Sequence, residues 1–104
     1  MDQKPMPDEG RSVRAHVWVH GRVQGVGFRA HIEYNARQMG GLSGWVRNVG
    51  YDAVEAVVEG EREKVGRFIQ MMKDGPRSSR VDESKVEWEE PTGEFEKFGV
   101  RRSI

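Results

Sequence analysis

Two segments of helical periodicity lie among four or five valine-rich segments of alternating polarity. Together they predict an α/β plait, the ferredoxin-like βαββαβ order, with an antiparallel four- to five-stranded sheet and two helices packed on one face. Fourteen valines against a single leucine support the strand content, because branching at Cβ suits a pleated backbone. A chain of 104 residues has room for one domain and one modest core. Each helical segment is too short to stand alone, so each must bury its apolar stripe on a shared sheet, which two right-handed crossovers allow.

Taken in order, residues 1–11 hold three acidic residues and two prolines without apolar periodicity, so a flexible tail is expected there and a folded domain over 12–104. From Val13 to His20, Val13, Ala15, Val17 and Val19 alternate with Arg14, His16, Trp18 and His20, the pattern of a half-buried strand. Phe28, Ile32, Ala36 and Met39 then recur at helical spacing until Gly40-Gly41 ends the first helix. Leu42–Val49 and Ala53–Glu59 read as a hairpin around Gly50-Tyr51-Asp52, with Val54, Ala56 and Val58 inward and Glu55 and Glu59 outward. Val65, Phe68, Ile69 and Met72 mark a second helix that Asp74-Gly75-Pro76 stops. Val81, Val86 and Trp88 suggest a fourth strand with an irregularity near Glu83-Ser84, and Phe98–Arg102 a short fifth.

Composition removes several functional classes. No apolar run approaches the roughly 20 residues that span a bilayer, and the acidic N-terminus lacks the pattern of an export signal, so a cytoplasmic protein without membrane contact is expected. The absence of cysteine excludes disulfides, thiolate metal sites and thiol nucleophiles. His16 and His20 would lie roughly 13 Å apart on one strand face, too far to hold one ion, and His31 has no partner in a recognisable pattern. No metal site is expected. Net charge is zero but uneven: residues 1–10 sum to −2, residues 11–49 to +5 and residues 50–104 to −3.

The basic segment holds the turn Gly21-Arg22-Val23-Gln24-Gly25-Val26-Gly27-Phe28-Arg29, placed where the amides that begin a helix have no intrahelical partners. Gly25 and Gly27 allow consecutive N–H groups to face inward as an anion nest, and Arg29 can add a planar fork of donors. A phosphate or carboxylate is the ligand such a loop can hold. The same glycines also suit a plain tight turn with Arg29 solvated, and Asn48 by itself reads as a hairpin-turn residue at positive φ. The third glycine of a dinucleotide fingerprint is missing, as is the Gly-Lys-Ser/Thr of a P-loop, which disfavours nucleotides.

Residues 19–29, Val-His-Gly-Arg-Val-Gln-Gly-Val-Gly-Phe-Arg, closely resemble the first signature of the acylphosphatase family. Gly44-Trp45-Val46-Arg47-Asn48, with Val54 and Gly60 downstream, resembles the second. The resemblance covers about residues 12–102, including the order of elements. It implies hydrolysis of a carboxyl-phosphate anhydride to carboxylate and orthophosphate, with no metal or cofactor. Position by position it implies Arg29 as the phosphate-binding catalytic arginine and Asn48 as the residue that orients the attacking water. The amides of Gln24, Gly25, Val26, Gly27 and Phe28 would form the cradle. Asp52 departs from the family, which usually has glycine in the hairpin, and a positive φ is expected to strain it there.

The implied chemistry suits these residue types. A phosphoryl group in transfer spreads charge over three equatorial oxygens, which amides and a guanidinium can surround. A carboxylate is a good leaving group, so a strong general acid is unnecessary. A small acyl phosphate is the expected partner of a monomer that binds no nucleic acid. Two alternatives share the fold: an RNA-binding module, which the acidic, aromatic-free third strand argues against, and a non-catalytic acyl-phosphate-binding domain.

Overall fold

The computed structural model describes residues 12–104, so the expected tail at 1–11 lies outside the described residues. The elements are β1 (Ser12–Arg22), α1 (Phe28–Met39), β2 (Ser43–Val49), β3 (Ala53–Glu61), α2 (Arg62–Asp74), β4 (Arg80–Glu89) and β5 (Phe98–Val100). Together they form one five-stranded sheet of order β4-β1-β3-β2-β5, the plait that the alternating segments predict. β1 and β2 flank β3 and both run antiparallel to it, so the α1 crossover joins parallel strands. β5 departs from the antiparallel expectation: it pairs parallel to β2, Gly44 opposite Phe98 and Val46 opposite Val100. This follows from connectivity, since the chain leaves β4 at one edge and crosses to the other before pairing.

The core lies between the sheet and the helices. Ala15, Val17 and Val19 of β1 and Val54, Ala56 and Val58 of β3 face the apolar stripes Phe28, Ile32, Ala36 of α1 and Val65, Phe68, Met72 of α2. Phe68 meets Phe98 with ring centroids 5.2 Å apart, which ties α2 to the short edge strand. On the fourth strand the pairing with β1 slips between His20 and Gly21, leaving Asp82 as the extra residue one position before the expected irregularity.

The other face of the sheet corrects the reading of β3. Glu55 and Glu59 do point away from the helices, yet they are only 7% and 3% exposed. Arg47 Nε donates to Glu55 at 2.8 Å, and Arg14 Nη1 donates to Glu59 at 3.2 Å. The backbone amides of Thr92 and Gly93 also donate to Glu59, at 2.8 and 3.0 Å, so the segment after β4 folds over this face. Alternation in sequence places a side chain on a face; it does not say that water covers that face.

Candidate active site

Sheet register brings the two signature segments together. Val19 of β1, Val54 of β3 and Asn48 of β2 lie in line across three adjacent strands. The turn that begins at Gly21 therefore emerges beside the end of β2, and residues 29 and 48 meet although distant in sequence. Val23, Gly25, Gly27, Phe28, Arg29, Ala30, Glu33, Asn48 and Val100 line one cavity of about 290 Å³.

Gly25 and Gly27 hold φ of 73° and 77°, the left-handed conformation that the nest requires and that a Cβ would strain. Gly27 is also the N-cap of α1 and offers no side-chain cap. The first intrahelical bond runs from His31 N–H to the Gly27 carbonyl at 3.0 Å, so the amides of the first turn remain available to a ligand. That turn contains Arg29 and no acidic residue. A cation at a helix N-terminus opposes the macrodipole, so this end of α1 is electrostatically suited to an anion.

The loop is fixed from several sides. Ser78 Oγ donates to the Val26 carbonyl at 2.8 Å from the α2–β4 connection, and Gly21 N–H donates to Asp52 O at 3.0 Å. Gln24 Nε2 donates to the carbonyls of Val49, Gly50 and Ala53. Arg29 Nη1 donates to Ser103 Oγ at 3.4 Å, a long contact that an anion can displace.

Asn48 sits within β2, and its backbone φ is not positive. The turn-residue reading therefore fails, and its side chain belongs to the inner face. Its Oδ1 is buried and has no hydrogen-bond partner among the described residues. A buried orphan carbonyl costs about 1–3 kcal/mol, so its retention beside Arg29 calls for an explanation. The expected strain at Asp52 is also corrected. Gly50, at φ 60°, carries the left-handed position of the hairpin, and no residue other than glycine has positive φ among those described.

Three residues at the site escaped the sequence reading. Glu33 lines the cavity but pairs with Arg37 at 3.3 Å, which offsets its charge toward an incoming anion. Its i+4 spacing from Arg29 was the available signal. Val100 and Ser103 arrive through the parallel β5 pairing, continued by Arg101 N–H to Val46 O and Ile104 N–H to Asn48 O, and no local pattern announces it. His16 joins the ion cluster on the opposite face, with Nε2 2.6 Å from Glu55 and Nδ1 3.0 Å from Glu89. His31 Nδ1 lies 3.4 Å from Asn35 Nδ2.

The family model described as Acylphosphatase matches residues 15–100. A curated protein of Roseiflexus sp. named Acylphosphatase is 49% identical over 87 residues, covering 84% of this chain and 92% of its own. A solved acylphosphatase from Coxiella burnetii superposes with a TM-score of 0.81 at 31% identity, covering 92% of this chain and 100% of its own. Full-length HypF, solved in a phosphate- and nucleotide-bound form, aligns with a TM-score of 0.78 at 29% identity, over 89% of this chain and 12% of HypF.

Proposed function

The chain belongs to the acylphosphatase family, and on that premise we propose that its cavity binds the phosphate of an acyl phosphate through the Gln24–Phe28 amides and Arg29 while Asn48 aligns the attacking water. Hydrolysis of acyl phosphates is the activity the family assigns; the residue roles are the proposal. The observation that carries it is that Asn48, whose buried Oδ1 has no hydrogen-bond partner among the described residues, lines the same cavity as Arg29 and the two nest glycines. A water that donates one proton to this oxygen is held with a lone pair directed at phosphorus.

The water oxygen attacks phosphorus as the bond from phosphorus to the acyl oxygen breaks. The carboxylate departs with that bond pair, and the water's proton passes to a phosphate oxygen, giving orthophosphate. An amide side chain cannot act as a base near neutral pH, so Asn48 positions the water and the substrate receives the proton. Arg29 and the cradle balance the charge on the equatorial oxygens throughout.

The sheet face opposite the helices supports this reading over an RNA-binding module. His16 stacks on Trp18 with ring centroids 3.8 Å apart, and Arg47 and Arg101 lie 4.7 and 4.8 Å from the Trp45 ring. These rings already have partners where a base platform needs free faces. The test is phosphate release from benzoyl phosphate by the purified chain in the presence of a chelator. Turnover with competitive inhibition by orthophosphate, and little action on phosphate monoesters, is expected. Turnover that vanishes with chelator, or that ignores high phosphate, contradicts the reading.

A further inference from the structure

We infer that the Gln24 side chain is a positioning residue that sets the β2–β3 hairpin, and with it Asn48, in register with the phosphate cradle. Cradle formation needs only the backbone N–H at position 24, which any residue except proline supplies. The side chain is engaged elsewhere. Its Nε2 donates to the carbonyls of Val49 at 3.2 Å, Gly50 at 3.1 Å and Ala53 at 2.9 Å. Two N–H groups shared among three carbonyls that converge from both sides of a turn make a clamp on that turn, not a surface contact. The first of these carbonyls belongs to the residue after Asn48, so a shift of the clamp moves Asn48 with it.

Asn48 Oδ1 has no hydrogen-bond partner among the described residues, so no hydrogen bond to that oxygen fixes its direction. Its aim is inherited from β2 and the hairpin. The Gly21–Asp52 backbone bond is a second tie between loop and turn, at the far side of the hairpin from Asn48. Gly50 N–H to Ile104 O at 2.9 Å and Ile104 N–H to Asn48 O at 3.0 Å tie the β2 end to the segment after β5, so loss of the Gln24 clamp leaves the hairpin attached at these points and able to pivot only about them. Because a displacement of about 1 Å can cost up to about 100-fold in rate, such a pivot affects turnover before it affects binding.

The inference rests on the reading of Asn48 as the water-aligning residue, and a double-mutant cycle separates the two. Gln24→Met keeps length and removes both donors; Gln24→Glu keeps length and replaces donors by acceptors. Each is assayed for kcat, for the orthophosphate inhibition constant and for thermal stability, alone and combined with Asn48→Ala. Either Gln24 variant is expected to lower kcat at least about tenfold with the inhibition constant within about threefold, and to cost less than about threefold in the Asn48→Ala background. An undiminished tenfold loss in that background, a parallel loss of phosphate affinity, or unaltered kcat in both variants overturns the clamp role while leaving Asn48 in place. Full activity in Asn48→Ala alone overturns both.

Discussion

In the proposed mechanism Arg29 works by geometry as much as by charge. A guanidinium presents two parallel donors to two phosphate oxygens, whereas an ammonium is a point charge on a flexible stem. Arg29→Lys is therefore expected to lose nearly as much activity as Arg29→Ala, on the order of 1,000-fold in kcat/KM, with weaker orthophosphate inhibition in both. A lysine variant within tenfold of the parent would show that charge alone suffices. Asp52 gives a second test, with the sign set by the backbone. Since Gly50 holds the left-handed position, Asp52 is unstrained, and glycine there only enlarges the entropy of the unfolded chain. Asp52→Gly should lower stability by roughly 0.5–1 kcal/mol in a denaturant titration. A stabilised variant would return the strain to position 52. Arg29 and the nest glycines could be read from sequence because helix start, glycine and cation coincide within a few residues. Which of three turn residues takes positive φ could not, since Gly50 and Asp52 both tolerate it.

Among the elements, β3 carries the most information about how the sheet is finished. Its inner face is apolar, as alternation requires, and its outer face buries two carboxylates. Burial alone would push the Glu55 carboxyl up, but the hydrogen bonds from His16 and Arg47 outweigh it and hold the group below the usual carboxylate range. A carboxyl lowered in the folded state stabilises the fold above the unfolded pKa, and that stability is lost as pH falls through the folded value. The loss should begin as pH drops below about 4.5, the ordinary value for Glu. Glu55→Gln is expected to be less stable near neutrality and to show a shallower fall below that point, by up to about 1.4 kcal/mol per pH unit. Identical acid slopes in parent and variant would contradict the ion network. Helix and strand identity was readable because each stripe repeats at its own period. The cover over β3 was not, because Thr92 and Gly93 reach Glu59 across more than thirty residues without any local signal.

At the scale of the whole molecule, the plait turns distant sequence into one site. Both flanking strands end beside Ala53, so the turn after β1 and the end of β2 share one edge of the sheet, and the residues after β5 close that edge through Ser103 and Ile104. Strand order follows from the βαββαβ pattern and the crossover rule, which is why residue placement at the site could be anticipated. The parallel fifth strand could not, since three residues carry too little periodicity to reveal a partner. Among the described residues no helix is long and apolar enough to cross a membrane. In the proposed function the cradle binds phosphate and Asn48 aligns water, two separable tasks in one cavity. Asn48→Ala, assayed for benzoyl phosphate turnover and for inhibition by orthophosphate, separates them. A fall in kcat of about 100-fold or more is expected, with the inhibition constant within about twofold of the parent. Turnover and phosphate affinity falling together in a variant that melts like the parent, or turnover left intact, would contradict the proposed function.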